Sequence, residues 1–108
     1  MKMKDILTLL DARLLRGLPE EEPEFSSAFS SDMMSDVLAY GQGQGLLLTG
    51  LLNQQVIRTA EMLDMRCIVF VRGKTPGEEV LDLAAEKGIA VACTRYGMFT
   101  ASGLLYQA

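Results

Sequence analysis

An α/β fold with a mostly parallel sheet is predicted by three observations. Leu46–Leu48, Cys67–Val71 and Ile89–Cys93 are short runs of unbroken hydrophobicity, as expected of strands covered on both faces. Each is followed by a segment whose apolar residues recur at helical spacing. The connections are short and hold the residues that start and stop helices. Alternation of this kind gives right-handed βαβ units and parallel strands.

Taken in chain order, Lys4 to Asp11 places Ile6, Leu7 and Leu10 on one helical face. Ala12 to Arg16 reads as a short strand closed by Gly17. Leu18 to Pro23, with two prolines and three glutamates, reads as a solvated turn. Glu24 to Ser30 carries Phe25 and Phe29 among small residues and suits a strand or an extended loop. Ser31 or a neighbour can cap a helix running to about Tyr40, with Met33/Val37 and Met34/Leu38 at spacing four. These extra short strands extend the sheet at an edge. Asn53 can cap a helix carrying Val56, Ala60 and Leu63. Thr75-Pro76-Gly77-Glu78 fits a capping box with proline at the first helical position, which makes Thr75 a cap. That helix carries Val80, Leu81, Ala84 and Ala85 and stops at Gly88. Gly97 to Tyr106 is a closing helix, with Met98, Ala101 and Leu105 at helical spacing.

Composition removes whole classes of chemistry. The chain has 108 residues, 49% of them hydrophobic and 22% charged, consistent with one globular domain spanning residues 1–108. A net charge of −4 without a basic tract argues against nucleic acid and against an anionic membrane surface. No run approaches membrane-spanning length, and the expected location is cytoplasmic. There is no histidine, which removes Ser-His and Cys-His nucleophile pairs, histidine metal sites and imidazole acid–base catalysis. Two cysteines, Cys67 and Cys93, have no suitably spaced carboxylates to complete a metal site, so neither metal nor cofactor is expected.

Two motifs invite a nucleotide reading. Gly41-Gln42-Gly43-Gln44-Gly45 has three glycines on alternate positions, but they follow a helix and precede a strand, the reverse of a dinucleotide fingerprint. They read as a helix-to-strand turn. Gly73-Lys74-Thr75, between strand and helix, resembles the end of a phosphate-binding loop. The first glycine of that motif would fall at Ile68, inside the strand, so the loop that wraps the phosphates is missing. No Walker-B acid follows at Cys93-Thr94-Arg95. A weaker reading survives, because ligands of open parallel sheets bind beyond the carboxyl ends of the strands. Thr49, Gly50 and Asn53, then Arg72, Gly73, Lys74 and Thr75, then Thr94 all fall at that edge beside helix starts, where an anion can be held.

"FSSAFSSDMMSDVL" (25–38), "LLLTGLLNQQVIRTA" and "GIAVACT...FTASGLLY" together resemble the DRTGG domain family over nearly the whole chain. Ser31-Asp32-Met33-Met34-Ser35 fits the family's helix start, and Glu86-Lys87-Gly88-Ile89 its last strand. The namesake departs: Ser27-Ala28 stands where the family has Gly-Gly, and Ser26 where it has threonine. The resemblance implies a three-layer α/β/α domain similar to the non-catalytic N-terminal domain of HPr serine kinases. Such domains sit beside CBS domains in regulated pyrophosphatases or within long phosphotransacetylases, in regulatory or dimer-forming roles. This chain is too short to hold the kinase half.

The expected function is a non-catalytic regulatory or ligand-sensing domain, acting as a homodimer on a small anionic ligand. The alternatives are a scaffold that binds a protein and no small molecule, and a phosphoryl-transfer enzyme using Lys74. Seven methionines and the apolar content favour the dimer, with Met33, Met34, Phe25 and Phe29 the expected contributors. The cysteines are expected to be reduced: in level register, Cys67 and Cys93 lie roughly 13 Å apart along the strands, beyond disulfide reach.

Overall fold

The computed structural model describes residues 1–17, 24–41 and 43–108, so the solvated turn expected at Leu18–Pro23 lies outside the described residues. Ten elements follow one another: α1 (Met3–Leu9), β1 (Arg13–Arg16), β2 (Ala28–Ser30), α2 (Met34–Tyr40), β3 (Leu46–Thr49), α3 (Gln54–Met62), β4 (Cys67–Phe70), α4 (Glu78–Glu86), β5 (Ala90–Cys93) and α5 (Met98–Gln107). The five strands form one sheet in the order β1-β5-β4-β3-β2. Strands β2 to β5 are parallel, with Ala28 opposite Leu46, Leu46 opposite Cys67 and Cys67 opposite Ala90. β1 runs antiparallel to β5, with an irregularity between Leu14 and Arg16. The extra strands thus extend the sheet at both edges, not one.

The layers follow from the topology. Strands β2 to β5 step across the sheet in one direction, so crossovers of one hand place α2, α3 and α4 on one face. There Met34, Val37, Val56, Ile57, Ala60, Val80, Leu81 and Ala84 pack on Leu47, Ile68, Phe70 and Val91. The alternate strand residues Leu46, Leu48, Val69, Val71 and Ala92 face the other way, against Met3, Ile6 and Leu10 of the α1 region and Ala101 of α5. This is the three-layer α/β/α architecture.

Helix ends explain several boundaries. α1, α3 and α4 each stop at a residue with positive φ, namely Asp11, Asp64 and Gly88. The next amide then bonds five residues back: Ala12 to Leu7, Met65 to Ala60 and Ile89 to Ala84, the Schellman pattern. At the other ends, the Asn53 side chain accepts the Gln55 amide at 3.0 Å and caps α3 as its position predicts. Two expected caps are corrected. Of Ser31 and its neighbours, Ser31 does not hold the α2 cap position, although its hydroxyl accepts the Met33 amide at 3.0 Å. Its own amide still bonds the Leu48 carbonyl of the sheet, so the helix starts later, with Met33 at the cap position and no side-chain bond. Thr75 does not cap α4 either. Pro76 is buried ahead of the helix, and Gly77, extended and without a side chain, holds the cap position, so Glu78 opens the helix.

The cysteines are free and buried. Cys67 pairs with Ala90 and Cys93 with Phe70, so their offset is three residues, roughly 10 Å, rather than the four assumed from level register. They also belong to opposite faces of the sheet. Burial pushes the Cys67 thiol up to about 12, which leaves it protonated and unreactive at neutral pH. Among the expected dimer contributors, Phe25 and Met34 are core residues and Phe29 packs against the core, while Met33 is exposed. Phe99 and Tyr106 on α5, each 92% exposed, are the larger outward-facing side chains.

Candidate functional site

The parallel register brings the ends of β3, β4 and β5 level, and with them Thr49-Gly50, Arg72-Gly73-Lys74 and Thr94-Arg95. The GKT segment is shaped by a tight turn. Arg72 and Gly73 both have positive φ, and the Lys74 amide reaches back to the Val71 carbonyl, the pattern of a type I′ turn. The Arg72 amide donates to the Tyr96 carbonyl at 2.7 Å, and the Gly73 amide to the Thr94 carbonyl at 2.8 Å. The amides that would cradle a phosphate are therefore spent on tying the β4 turn to the β5 turn. Thr75 is exposed beside them.

Thr49 and Thr94 are buried and play matching roles. The Thr49 hydroxyl oxygen accepts the Leu51 amide at 3.1 Å, and that of Thr94 accepts the Tyr96 amide at 3.2 Å, so each turns the chain sharply after its strand. The Thr94 hydroxyl donates to the Leu10 carbonyl at 2.6 Å, joining β5 to the end of α1. Asn53 is occupied as the α3 cap.

The residue that sequence reasoning left out is Asp32, in the segment between β2 and α2. One carboxylate oxygen accepts the Gly50 amide at 2.7 Å and the Thr49 hydroxyl at 3.3 Å; the other accepts Arg72 Nη2 at 3.3 Å. The Gly50 amide bond, with the Arg72 guanidinium adding to it, holds Asp32 below the usual carboxylate range. Gly50 is needed for this approach, since a Cβ there would lie 1.9 Å from Arg72 Nη2. The signal was legible in principle. An aspartate following one parallel strand lands beside the Thr-Gly that ends the next, where a buried amide and a hydroxyl call for an acceptor.

Charged side chains of both signs gather around this seat. Arg72 pairs with Asp32, and Arg95 pairs with Asp11 while lying over the Tyr96 ring at 4.9 Å. Among the described residues Lys74, exposed, has no ion-pair partner. The first turns of α2 and α4 at the same edge carry Asp36, Glu78 and Glu79, so Arg72, Arg95 and Lys74 sit among carboxylates. The described residues contain no group of three or more His, Cys, Asp or Glu side chains able to hold a metal ion.

Fold and edge together define a three-layer α/β/α domain that gathers Asp32, Arg72 and Lys74 at the carboxyl ends of its parallel strands. No protein-family model and no curated protein matches the chain. Its structure closely matches the DRTGG domain region within the CBS and DRTGG domains of the regulatory region of a Clostridium perfringens pyrophosphatase, itself determined with an activator, diadenosine tetraphosphate. The TM-score is 0.81 at 21% sequence identity, over 97% of this chain and 46% of the other, so this chain spans about half the length of that regulatory region. No helix among the described residues is long and apolar enough to cross a membrane.

Proposed function

We propose that this chain is a non-catalytic regulatory domain that senses a small anionic ligand at the carboxyl ends of its strands. The observation that carries the reading is the Asp32 seat. A backbone amide, a hydroxyl and a guanidinium already converge on one internal carboxylate there, with Lys74 exposed beside them. A phosphate or carboxylate ligand has two routes to binding: it shares Arg72 with Asp32, or it displaces Asp32 and takes the seat. Arg72 and Lys74 make the contacts in either route and the Gly50 amide joins them when Asp32 is displaced, while Thr49, Asn53, Gly73, Thr75 and Thr94 shape the edge. Displacing Asp32 frees the segment between β2 and α2, which converts ligand binding into a structural signal.

Catalysis has little to work with. The turn amides are consumed internally, the chain has no histidine, and a lone lysine supplies charge without orienting a phosphoryl group. The fold it shares with part of a pyrophosphatase regulatory region fits a sensing role. A homodimer and a cytoplasmic location belong to the same reading; exposed Met33, Tyr40, Phe99 and Tyr106 support the first.

The test is a thermal-shift screen of nucleotides and phosphorylated metabolites on the wild type, Lys74→Ala and Asp32→Asn. The stabilising ligand should lose its effect with Lys74→Ala and gain with Asp32→Asn, which removes the internal competitor's charge. Lys74-dependent hydrolysis of ATP would contradict a non-catalytic role.

A further inference from the structure

The far edge of the sheet carries a second feature. β2 bonds to β3 through alternate residues: the Leu46 amide donates to the Ser27 carbonyl at 3.0 Å, and the Ser31 amide to the Leu48 carbonyl at 3.1 Å. The period of two directs the backbone groups of Ser27, Phe29 and Ser31 inward and those of Ala28 and Ser30 outward. Among the described residues nothing pairs with the outward groups, and both residues are exposed. Edges of this kind are usually blunted by shortness, lysine, proline or an inward-pointing charge. β2 is short at three residues, but Ala28-Phe29-Ser30 has none of the other devices.

A cleft of about 650 Å³ runs along this edge. It is lined from both sides of the sheet, by Phe29 and Tyr40 on the α2 side and by Ser102, Leu105 and Tyr106 on the α5 side. A space open to both faces of an edge strand is where one more strand would lie, and no charged side chain lines it.

We infer that β2 is the pairing edge of a homodimer, in which the β2 strands of two copies run antiparallel about a two-fold axis at Phe29. This rests on the dimer reading above and names its interface. The register is self-complementary. Ala28 of each copy faces Ser30 of the other, and each such pair exchanges both of its N–H···O bonds because these are the outward-directed residues. Phe29 then meets its own symmetry mate at a non-hydrogen-bonded position, where cross-strand side chains approach most closely. The two sheets join into one of ten strands, and Tyr40 and Tyr106 flank the junction on its two faces. The charges beside the cleft are the Met1 amino group, which donates to the Phe25 carbonyl, and the Ala108 carboxyl terminus, so two copies of an acidic chain approach without like-charged side chains facing at the seam.

Ala28→Pro tests this directly. It removes an outward N–H and leaves the amides bonded to β3 in place. Ala28→Lys adds an edge charge without touching the backbone, and so decides the matter if the proline variant does not fold. Ala28→Thr is the tolerated control. Light scattering over a micromolar to millimolar series should give twice the 11.8 kDa chain mass for the wild type and Ala28→Thr, and the single-chain mass for folded Ala28→Pro and Ala28→Lys. A wild-type dimer that survives both disruptive substitutions would overturn the β2 interface and leave the dimer itself standing. A wild type that stays at the single-chain mass throughout would overturn both.

Discussion

Truncating Asp32 to alanine removes the acceptor that three groups share, and the structure sets the size of the effect. The dominant loss is the 2.7 Å bond from the Gly50 amide, which is buried and has no alternative acceptor in place. A hydrogen bond to a charged group contributes about 1.5–3 kcal/mol. The Asp32 side chain is 46% exposed, so water recovers part of this, and the Arg72 pair, similarly exposed, adds at most about 1 kcal/mol. Asp32→Ala should therefore cost about 2 kcal/mol, or roughly 8 °C in Tm for a domain of this size. Asp32→Asn keeps an oxygen for the Gly50 amide and should cost about half as much. The pH dependence has a definite sign. Asp32 is held below its unfolded value, so its contribution is complete above the ordinary carboxylate range and is lost as pH falls through the lower, folded value. Urea unfolding of the wild type and both variants across that acid range measures this. An alanine cost below about 0.5 kcal/mol, or a wild-type advantage over Asp32→Asn that persists once the wild-type carboxylate is protonated, would refute the reasoning.

Other consequences are open to direct measurement. Asn53→Ala should cost about 1 kcal/mol in chemical denaturation through the lost α3 cap, whereas Thr75→Ala, with no cap to lose, should stay within about 0.5 kcal/mol of wild type. Gly17→Ala should cost more than about 2 kcal/mol, because Gly17 has φ +85° and a Cβ would meet the Ala90 Cα and the Ile89 carbonyl oxygen at 2.9 Å. Cys67 should resist thiol reagents in native protein and label only on unfolding, with unreduced protein showing no intramolecular disulfide by mass spectrometry.

The fold was legible because its signals are local and repeated. Three apolar runs, the Asn53 cap and the Gly88 stop follow from periodicity and from the φ/ψ freedom of single residues, and strand–helix alternation then fixes parallel pairing. The edge strands were harder. β2 has three residues and β1 four, too short for alternation to declare itself, and nothing local says that they lie at opposite edges. The Thr75 cap went wrong because Thr-Pro-Gly-Glu satisfies the local rule, while burial of Pro76, a tertiary effect, decides where the helix begins. The edge that gathers Thr49, Arg72 and Thr94 could be placed from topology alone. Asp32 was missed because its partners are 18 and 40 residues away and its own neighbourhood reads as a helix start; only the parallel pairing of β2 beside β3 places it there. Two of the four expected dimer contributors prove to be core residues for a related reason. Phe25 and Met34 are apolar whether they face core or solvent, and only the packing separates them from Phe99 and Tyr106.

The most direct test of anion sensing at the strand ends is an amide NMR titration with the ligand giving the largest thermal shift. The Gly50 amide, bonded to a carboxylate at 2.7 Å, reports on who occupies the seat. The account predicts that the largest shifts fall on Gly50, Asp32 and the Arg72–Lys74 turn, and that they vanish in Lys74→Ala. Shifts that leave Gly50 and this turn untouched, or that are indifferent to Lys74, would contradict it.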